Sequence, residues 1–257
     1  MVTPNGAETK PNRPRADLHY DGRGPGANRS ATFETPMQSA VYNDLSLHYK
    51  LVVPGGGGDS ASLPLAIVLH GRGSDSNDLS GLAPMIDGGY RFIFPDAPTA
   101  FEPSPGMQFG FTWFDGWPAR KSSIIRSRDL LLTFITELVG RYPTPDGRIV
   151  LSGFSQGGMM SLDVGFRTAV PLAGVAVMSG ALFEEDMPDF ASRPQTPVLI
   201  VHGTADEVIP VSAARRTRRV LEDQGLNVDY EEFAMGHQVS DESMALVARF
   251  LRKCLVA

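Results

Sequence analysis

The segment Arg148-Ile149-Val150-Leu151-Ser152-Gly153-Phe154-Ser155-Gln156-Gly157-Gly158-Met159-Met160 reads as a buried strand, a sharp turn and the start of a helix. Ile149-Val150-Leu151 has the length and β-branched content of a core strand, and the apolar residues after Gly157-Gly158 fall at helical spacing. Ser155 sits at the apex, flanked by Gly153 and Gly157 in the pattern G-x-S-x-G. Small residues there let strand and helix approach closely while a strained backbone pushes the serine hydroxyl outward, the geometry of a nucleophile elbow. By itself the pentapeptide also describes a glycine-rich loop. Its weight comes from its position and from the partners downstream.

Working outward, other apolar runs have the same character. Leu65-Ala66-Ile67-Val68-Leu69, Arg91-Phe92-Ile93-Phe94-Pro95, the segment 172–178 and Val198-Leu199-Ile200-Val201 read as strands buried on both faces, and residues 228–233 as a final strand. Amphipathic or helix-forming stretches lie between and after them, beginning near Asn77 and over 127–138, 212–225 and 240–255. Val41-Tyr42 and residues 45–53 suggest an antiparallel hairpin at the sheet edge. The alternation predicts an α/β fold: a mostly parallel central sheet with helices on both faces. Residues 39–257 are expected to form this domain. Residues 1–38, rich in Pro, Gly, Asn and charge, are expected to be a disordered tail. Residues 96–121 have no clear periodicity, and their aromatics Phe101, Phe109, Phe111, Trp113, Phe114 and Trp117 either line a pocket or cover the core.

A chain of 257 residues with 42% apolar and 20% charged residues is long enough for one sizeable core. Its net charge of -6 argues against nucleic-acid or anionic-membrane partners. Cys254 is the only cysteine, so no intramolecular disulfide can form; it reads as a small apolar residue on the last helix. No run approaches the roughly 18 apolar residues of a membrane span, and Met1 to Arg15 hold no signal-peptide core, so no stable membrane insertion and a cytoplasmic location are expected.

A serine hydroxyl needs a base within hydrogen-bond reach, itself held in one tautomer by a carboxylate. In a sheet of this type the loops at the carboxyl ends of the strands converge on one edge. Asp206 follows the strand ending at Val201, and His237 follows the strand ending at Phe233, giving the chain order Ser, Asp, His that an α/β-hydrolase fold requires. Ser155, Asp206 and His237 are the expected triad. Glu207 is the rival to Asp206. Of the other histidines, His19 lies in the tail, His48 on an edge strand and His202 directly after a strand, where its ring suits packing. Two N–H donors are needed for the tetrahedral intermediate: the backbone of Gln156 at a helix start, and that of Arg72 in the loop His70-Gly71-Arg72-Gly73. His70, Trp113 and Phe114 are candidates for the substrate pocket, with a structural hydrogen bond as the other reading of His70. No metal and no cofactor are expected.

With these residues in place, the chain resembles the phospholipase/carboxylesterase family of α/β-hydrolases, which includes acyl-protein thioesterases and small bacterial carboxylesterases. The resemblance covers about residues 40–257 and rests on Leu69-His70-Gly71-Arg72-Gly73, Pro95-Asp96-Ala97-Pro98, Trp113-Phe114-Asp115, the elbow, residues 202–210 and Gly236-His237. It implies a metal-free serine hydrolase cleaving carboxylic esters or thioesters of small molecules through an acyl-enzyme on Ser155, with His237 as base and then acid, Asp206 as its orienter, and Arg72 and Gln156 as oxyanion donors. Arg72 stands where the protein-thioesterase branch has an apolar residue, and the long tail lies outside the family core; both point to small-molecule esters. A serine peptidase on short peptides and a non-catalytic hydrolase-fold binding protein are the alternatives, and a homodimer is left open.

Overall fold

Unbroken apolar runs can be buried only where both faces of a strand are covered, and those runs take the middle of the sheet. The computed structural model describes residues 37–54, 63–86, 89–116, 119–144 and 147–256, all within the unit Thr35–Ala257. Among the described residues the strands are β1 (Met37–Tyr42), β2 (Tyr49–Pro54), β3 (Leu65–Leu69), β4 (Arg91–Pro95), β5 (Thr99–Ala100), β6 (Phe111–Thr112), β7 (Ile149–Phe154), β8 (Gly174–Met178), β9 (Val198–Gly203) and β10 (Val228–Phe233). The helices are α1 (Lys121–Arg141), α2 (Gln156–Gly165), α3 (Val211–Asp223) and α4 (Asp241–Val256). Eight strands form one sheet in the order β1-β2-β4-β3-β7-β8-β9-β10, while β5 and β6 pair separately. From β4 to β10 every pairing is parallel; β1 and β2 run antiparallel at one edge, where β1 is largely exposed.

The period of two along a strand sorts the side chains into two cores. Leu65, Ile67, Leu69, Leu151, Val177 and Ile200 point to the face covered by α1, α2 and α3. Ala66, Val68, Val150, Ala176, Leu199 and Val201 point to the face covered by α4 and a 3₁₀ segment, Asp78–Met85. A mostly parallel sheet with helices on both faces is therefore the observed architecture. It places β7 near the centre and the carboxyl ends of β3, β7, β9 and β10 along one edge.

Local differences from the sequence reading have identifiable causes. The expected helix near Asn77 is 3₁₀, with Pro84 inside it. α1 starts at Lys121 rather than near Ser127: Ser123 donates to the Arg120 carbonyl at 2.7 Å and accepts from the Asp115 N–H at 3.0 Å, which organises a first turn that has no apolar periodicity. β2 begins at Tyr49, later than the expected strand, and β1 begins at Met37, before residue 39. The rest of the expected tail, the glycine run 55–58 and Trp117 lie outside the described residues. On α4, Cys254 packs over Gly174, where a Cβ would come within 2.8 Å of its Sγ, and burial pushes the thiol up to about 11.

Two arginines and two aspartates fasten the helices of one face together. Asp163 of α2, buried, accepts from Arg128 of α1 at 2.7 and 3.0 Å and from Arg167 at 3.0 Å, and both arginines also reach Asp186 in the segment after β8. Breaking such a buried pair strands the charges that remain. Asp163→Ala is expected to cost about 3–5 kcal/mol in a urea or thermal unfolding measurement. A loss under about 1 kcal/mol, the usual worth of a surface pair, would show that solvent screens the network.

Candidate active site

Ser155 joins β7 to α2 with φ 54° and ψ −119°, a left-handed conformation that non-glycine residues adopt at a cost of about 1–3 kcal/mol. Packing holds it there. Its N–H donates to the Met178 carbonyl at 2.9 Å, and its carbonyl accepts from the Met159 N–H at 3.0 Å. The flanking glycines are required by contact: a Cβ on Gly157 would stand 2.2 Å from the Leu69 carbonyl oxygen, and one on Gly153 2.4 Å from the Gly157 backbone. The obstacle is backbone rather than a pliable side chain. Gly157→Ala is therefore expected at the upper end of overpacking costs, about 3 kcal/mol, read as a lowered thermal midpoint together with lost activity. An unchanged midpoint would show that the elbow has slack.

His237 comes to this serine from the loop after β10, and Asp206 comes to the histidine from the loop after β9. His237 Nε2 lies 2.8 Å from Ser155 Oγ, and His237 Nδ1 lies 2.7 Å from Asp206 Oδ2. With Nδ1–H donating to the carboxylate, Nε2 is free to accept from the serine hydroxyl. The two loops pack without space between them: a Cβ on Gly203 would sit 2.3 Å from the Gly236 carbonyl oxygen, and Thr204 and Ala205 donate to the carbonyls of Phe233 and Met235 at 2.8 and 3.1 Å. The His237 ring also lies against Phe154, with centroids 5.0 Å apart.

Asp206 is fixed from several sides. Its Oδ1 accepts the N–H groups of Val208 and Ile209 at 2.9 and 2.8 Å. Burial pushes the carboxyl pKa up, but the His237 hydrogen bond and these two N–H donors outweigh it and leave the pKa below its usual value. The group is ionised at neutral pH. Glu207, its rival in the sequence, is exposed, and the hydrogen bond to His237 comes from Asp206. His202 is fully buried and packs as expected, its Nε2–H donating to the Ile209 carbonyl at 2.8 Å with Asp206 Oδ2 at 3.4 Å.

Gln156 is the first residue of α2, where backbone N–H groups lack intrahelical acceptors. Its side chain is occupied elsewhere: Oε1 accepts from Thr112 Oγ1 and the Trp113 N–H at 2.9 and 3.0 Å, and Nε2 donates to the Phe114 carbonyl at 2.8 Å. Neither the Gln156 N–H nor the Arg72 N–H finds an acceptor among the described residues. Gly71, Arg72, Ser155, Gln156 and His237 line one cleft of about 300 Å³.

His70, Trp113 and Phe114, expected in the substrate pocket, are absent from the walls of that cleft and are buried beneath it. His70 Nδ1–H donates to the Gly71 carbonyl at 2.7 Å and Nε2 accepts from the Ala97 N–H at 3.0 Å, the structural reading of this residue. Burial lowers its pKa and keeps the ring neutral, as that bonding pattern needs. Trp113 Nε1 donates to the His70 carbonyl at 2.9 Å, and Phe114 packs edge-on against Phe183. Through these bonds His70 and Trp113 hold the start of the Gly71–Arg72 turn from its buried side. The apolar residues of the cleft walls are instead Phe154, Met159, Val208 and Ile209, none of which the sequence reading assigns to the pocket. Val208 and Ile209 sit directly behind Asp206, the one placement that offered a signal.

Met159 is also in the wall of a second cavity of about 400 Å³, apolar at Ile124, Ile125, Leu182 and Phe183 and charged at Lys121, Arg128 and residues 184–186. Among the described residues, no group of three His, Cys, Asp or Glu side chains is arranged to hold a metal ion, and no helix is long and apolar enough to cross a membrane.

Comparison with known proteins agrees with this architecture. A family profile described as phospholipase/carboxylesterase matches residues 57–255. Acyl-protein thioesterase 1 of Neurospora crassa is 35% identical over 117 residues, covering 43% of this chain and about half (48%) of that protein. The Candida albicans protein of the same name is 26% identical over 217 residues, covering 75% of this chain and 93% of its own length. The crystal structure of esterase PE8 superposes with a TM-score of 0.67 at 26% identity, covering 86% of this chain and 99% of that one. The chain belongs to the phospholipase/carboxylesterase family of α/β-hydrolases. It is a hydrolase of the carboxylesterase/thioesterase type.

Proposed function

We propose that the protein is a serine hydrolase of small carboxylic esters, and of thioesters, working through an acyl-enzyme on Ser155. The supporting observation is the continuous hydrogen-bonded chain from Ser155 Oγ through His237 to the Asp206 carboxylate, at 2.8 and 2.7 Å. In this reading His237 Nε2 takes the hydroxyl proton as Oγ bonds to the substrate carbonyl carbon. The negative charge moves onto the carbonyl oxygen, between the N–H groups of Arg72 and Gln156. Collapse of that intermediate breaks the bond to the alcohol or thiol, which leaves with the proton from His237. A water, deprotonated by the same nitrogen, then attacks the acyl-enzyme; the acid is released and the proton returns to Oγ.

The apolar part of the cavity that shares Met159 with the cleft, Ile124, Ile125, Leu182 and Phe183, supports an apolar acyl arm on that side. Protein-linked thioesters, suggested by the names of the relatives, are a narrower case of the same chemistry. Residues 39–257 are read as the catalytic domain with 1–38 appended, and a cytoplasmic location belongs to the same reading. A chain-length series of p-nitrophenyl esters and acyl-thioesters, with a metal chelator present, is expected to be hydrolysed with a preference along the series. No turnover of any member would move the reading to peptides or to a binding protein.

A further inference from the structure

Arg72 lies on the wall shared by the catalytic cleft and a smaller polar cavity of about 240 Å³ lined by Phe101, Glu102, Thr112, Asp115 and Gly116. Its guanidinium carbon lies over the Phe101 ring, 4.5 Å from the centroid. Among the described residues it has no ion pair and no hydrogen bond. Arg128, which also lines a cavity, is by contrast paired with Asp163 and Asp186. A guanidinium seated on an aromatic face is restrained by the cation–π contact while its N–H donors stay available, and their fork matches a carboxylate in a bidentate pair.

We propose that the Arg72 side chain selects substrates whose alcohol or thiol arm carries a carboxylate. This rests on the serine-hydrolase reading, with the apolar acyl arm on the Met159 side, and adds that the alcohol or thiol arm lies against the Arg72 wall. The carboxylates nearby set an upper limit on the charge that this arm can carry. Asp78 lines the cleft, and Glu102 and Asp115 line the polar cavity, none of them paired with Arg72. A dianionic phosphate would bring a second charge against these acids, whereas a carboxylate would not. The side chain's role is separate from that of the Arg72 backbone N–H, because any residue but proline supplies the N–H.

The test compares three esters that share one acyl chain: 4-butanoyloxybenzoate, its neutral analogue 4-butanoyloxybenzamide, and 4-butanoyloxyphenyl phosphate. The quantity read is the ratio of kcat/KM for the benzoate to that for the benzamide, so that a general loss of activity in a variant cancels. The ratio is expected to fall at least 10-fold in Arg72→Gln and to recover in part in Arg72→Lys. In Phe101→Leu, which keeps the cation and removes its platform, the fall should be smaller. An equal ratio in wild type and Arg72→Gln, with both esters turned over, overturns this inference and leaves the serine-hydrolase reading standing. Turnover of the phosphate ester above the benzoate overturns the assignment to a carboxylate. Absence of wild-type turnover on all three esters, together with none on the p-nitrophenyl series, removes the catalytic reading and this inference with it.

Discussion

Ser155→Ala is expected to lower kcat on small esters by on the order of 10⁴- to 10⁶-fold while the protein stays folded. The two halves of this expectation have separate causes. Oγ is the atom 2.8 Å from His237 Nε2, so in the proposed mechanism its removal takes away the nucleophile, and what survives is orientation plus oxyanion stabilisation. The fold is indifferent, because alanine keeps the serine Cβ at the same left-handed backbone, and the Ser155 bonds to Met178 and Met159 are main-chain. Steady-state kinetics beside thermal unfolding checks both. An alanine variant that keeps a tenth or more of wild-type turnover would remove Ser155 from the mechanism.

Asp206→Asn should cost about 10⁴-fold in kcat, by a different route. The carboxylate accepts three hydrogen bonds, from His237 Nδ1 and from the N–H groups of Val208 and Ile209. An amide can still satisfy the two backbone donors with its oxygen, but it then turns its NH₂ toward His237. That favours the tautomer with the proton on Nε2, which can no longer accept from the serine. The same substitution has a pH signature. The folded-state pKa of Asp206 lies below its unfolded value, so its contribution to stability is fully present above an unfolded pKa of about 3.9 and is lost as pH falls through the lower folded value. The asparagine variant lacks that part of the acid dependence, and acid titration followed by circular dichroism would register the difference. Near-wild-type kcat in Asp206→Asn would transfer the orienting role to another group.

The parts of this molecule that could be read from the chain were those where one physical demand dominates. Ile149-Val150-Leu151 and Leu65-Ala66-Ile67-Val68-Leu69 are apolar at every position and have nowhere to sit but the middle of a covered sheet. Gly153 and Gly157 report a contact so close that no side chain fits. Asp206 and His237 follow predicted strands directly, and the parallel topology carries the ends of those strands to one edge. Where two demands compete, the sequence is ambiguous. Trp113 and Phe114 sit in a segment without periodicity, and nothing local distinguishes an aromatic that lines a cleft from one that supports it; their burial depends on Gln156 and His70, distant in sequence. Arg128, Asp163 and Asp186 look like solvated helix and loop charges until α1 and α2 are packed together. The cleft-lining Met159, Val208 and Ile209 have the composition of ordinary core.

The central claim is that a covalent acyl-enzyme forms on Ser155, and rapid mixing with a p-nitrophenyl ester followed by acid quench and mass analysis tests it most directly. The account predicts a burst of nitrophenol approaching one equivalent per chain when deacylation is the slower step, and in the quenched protein an added acyl mass on the peptide holding Ser155 that is absent from Ser155→Ala. Acyl mass on a different residue, or sustained turnover with no covalent species even with a slowly deacylating ester, would contradict it.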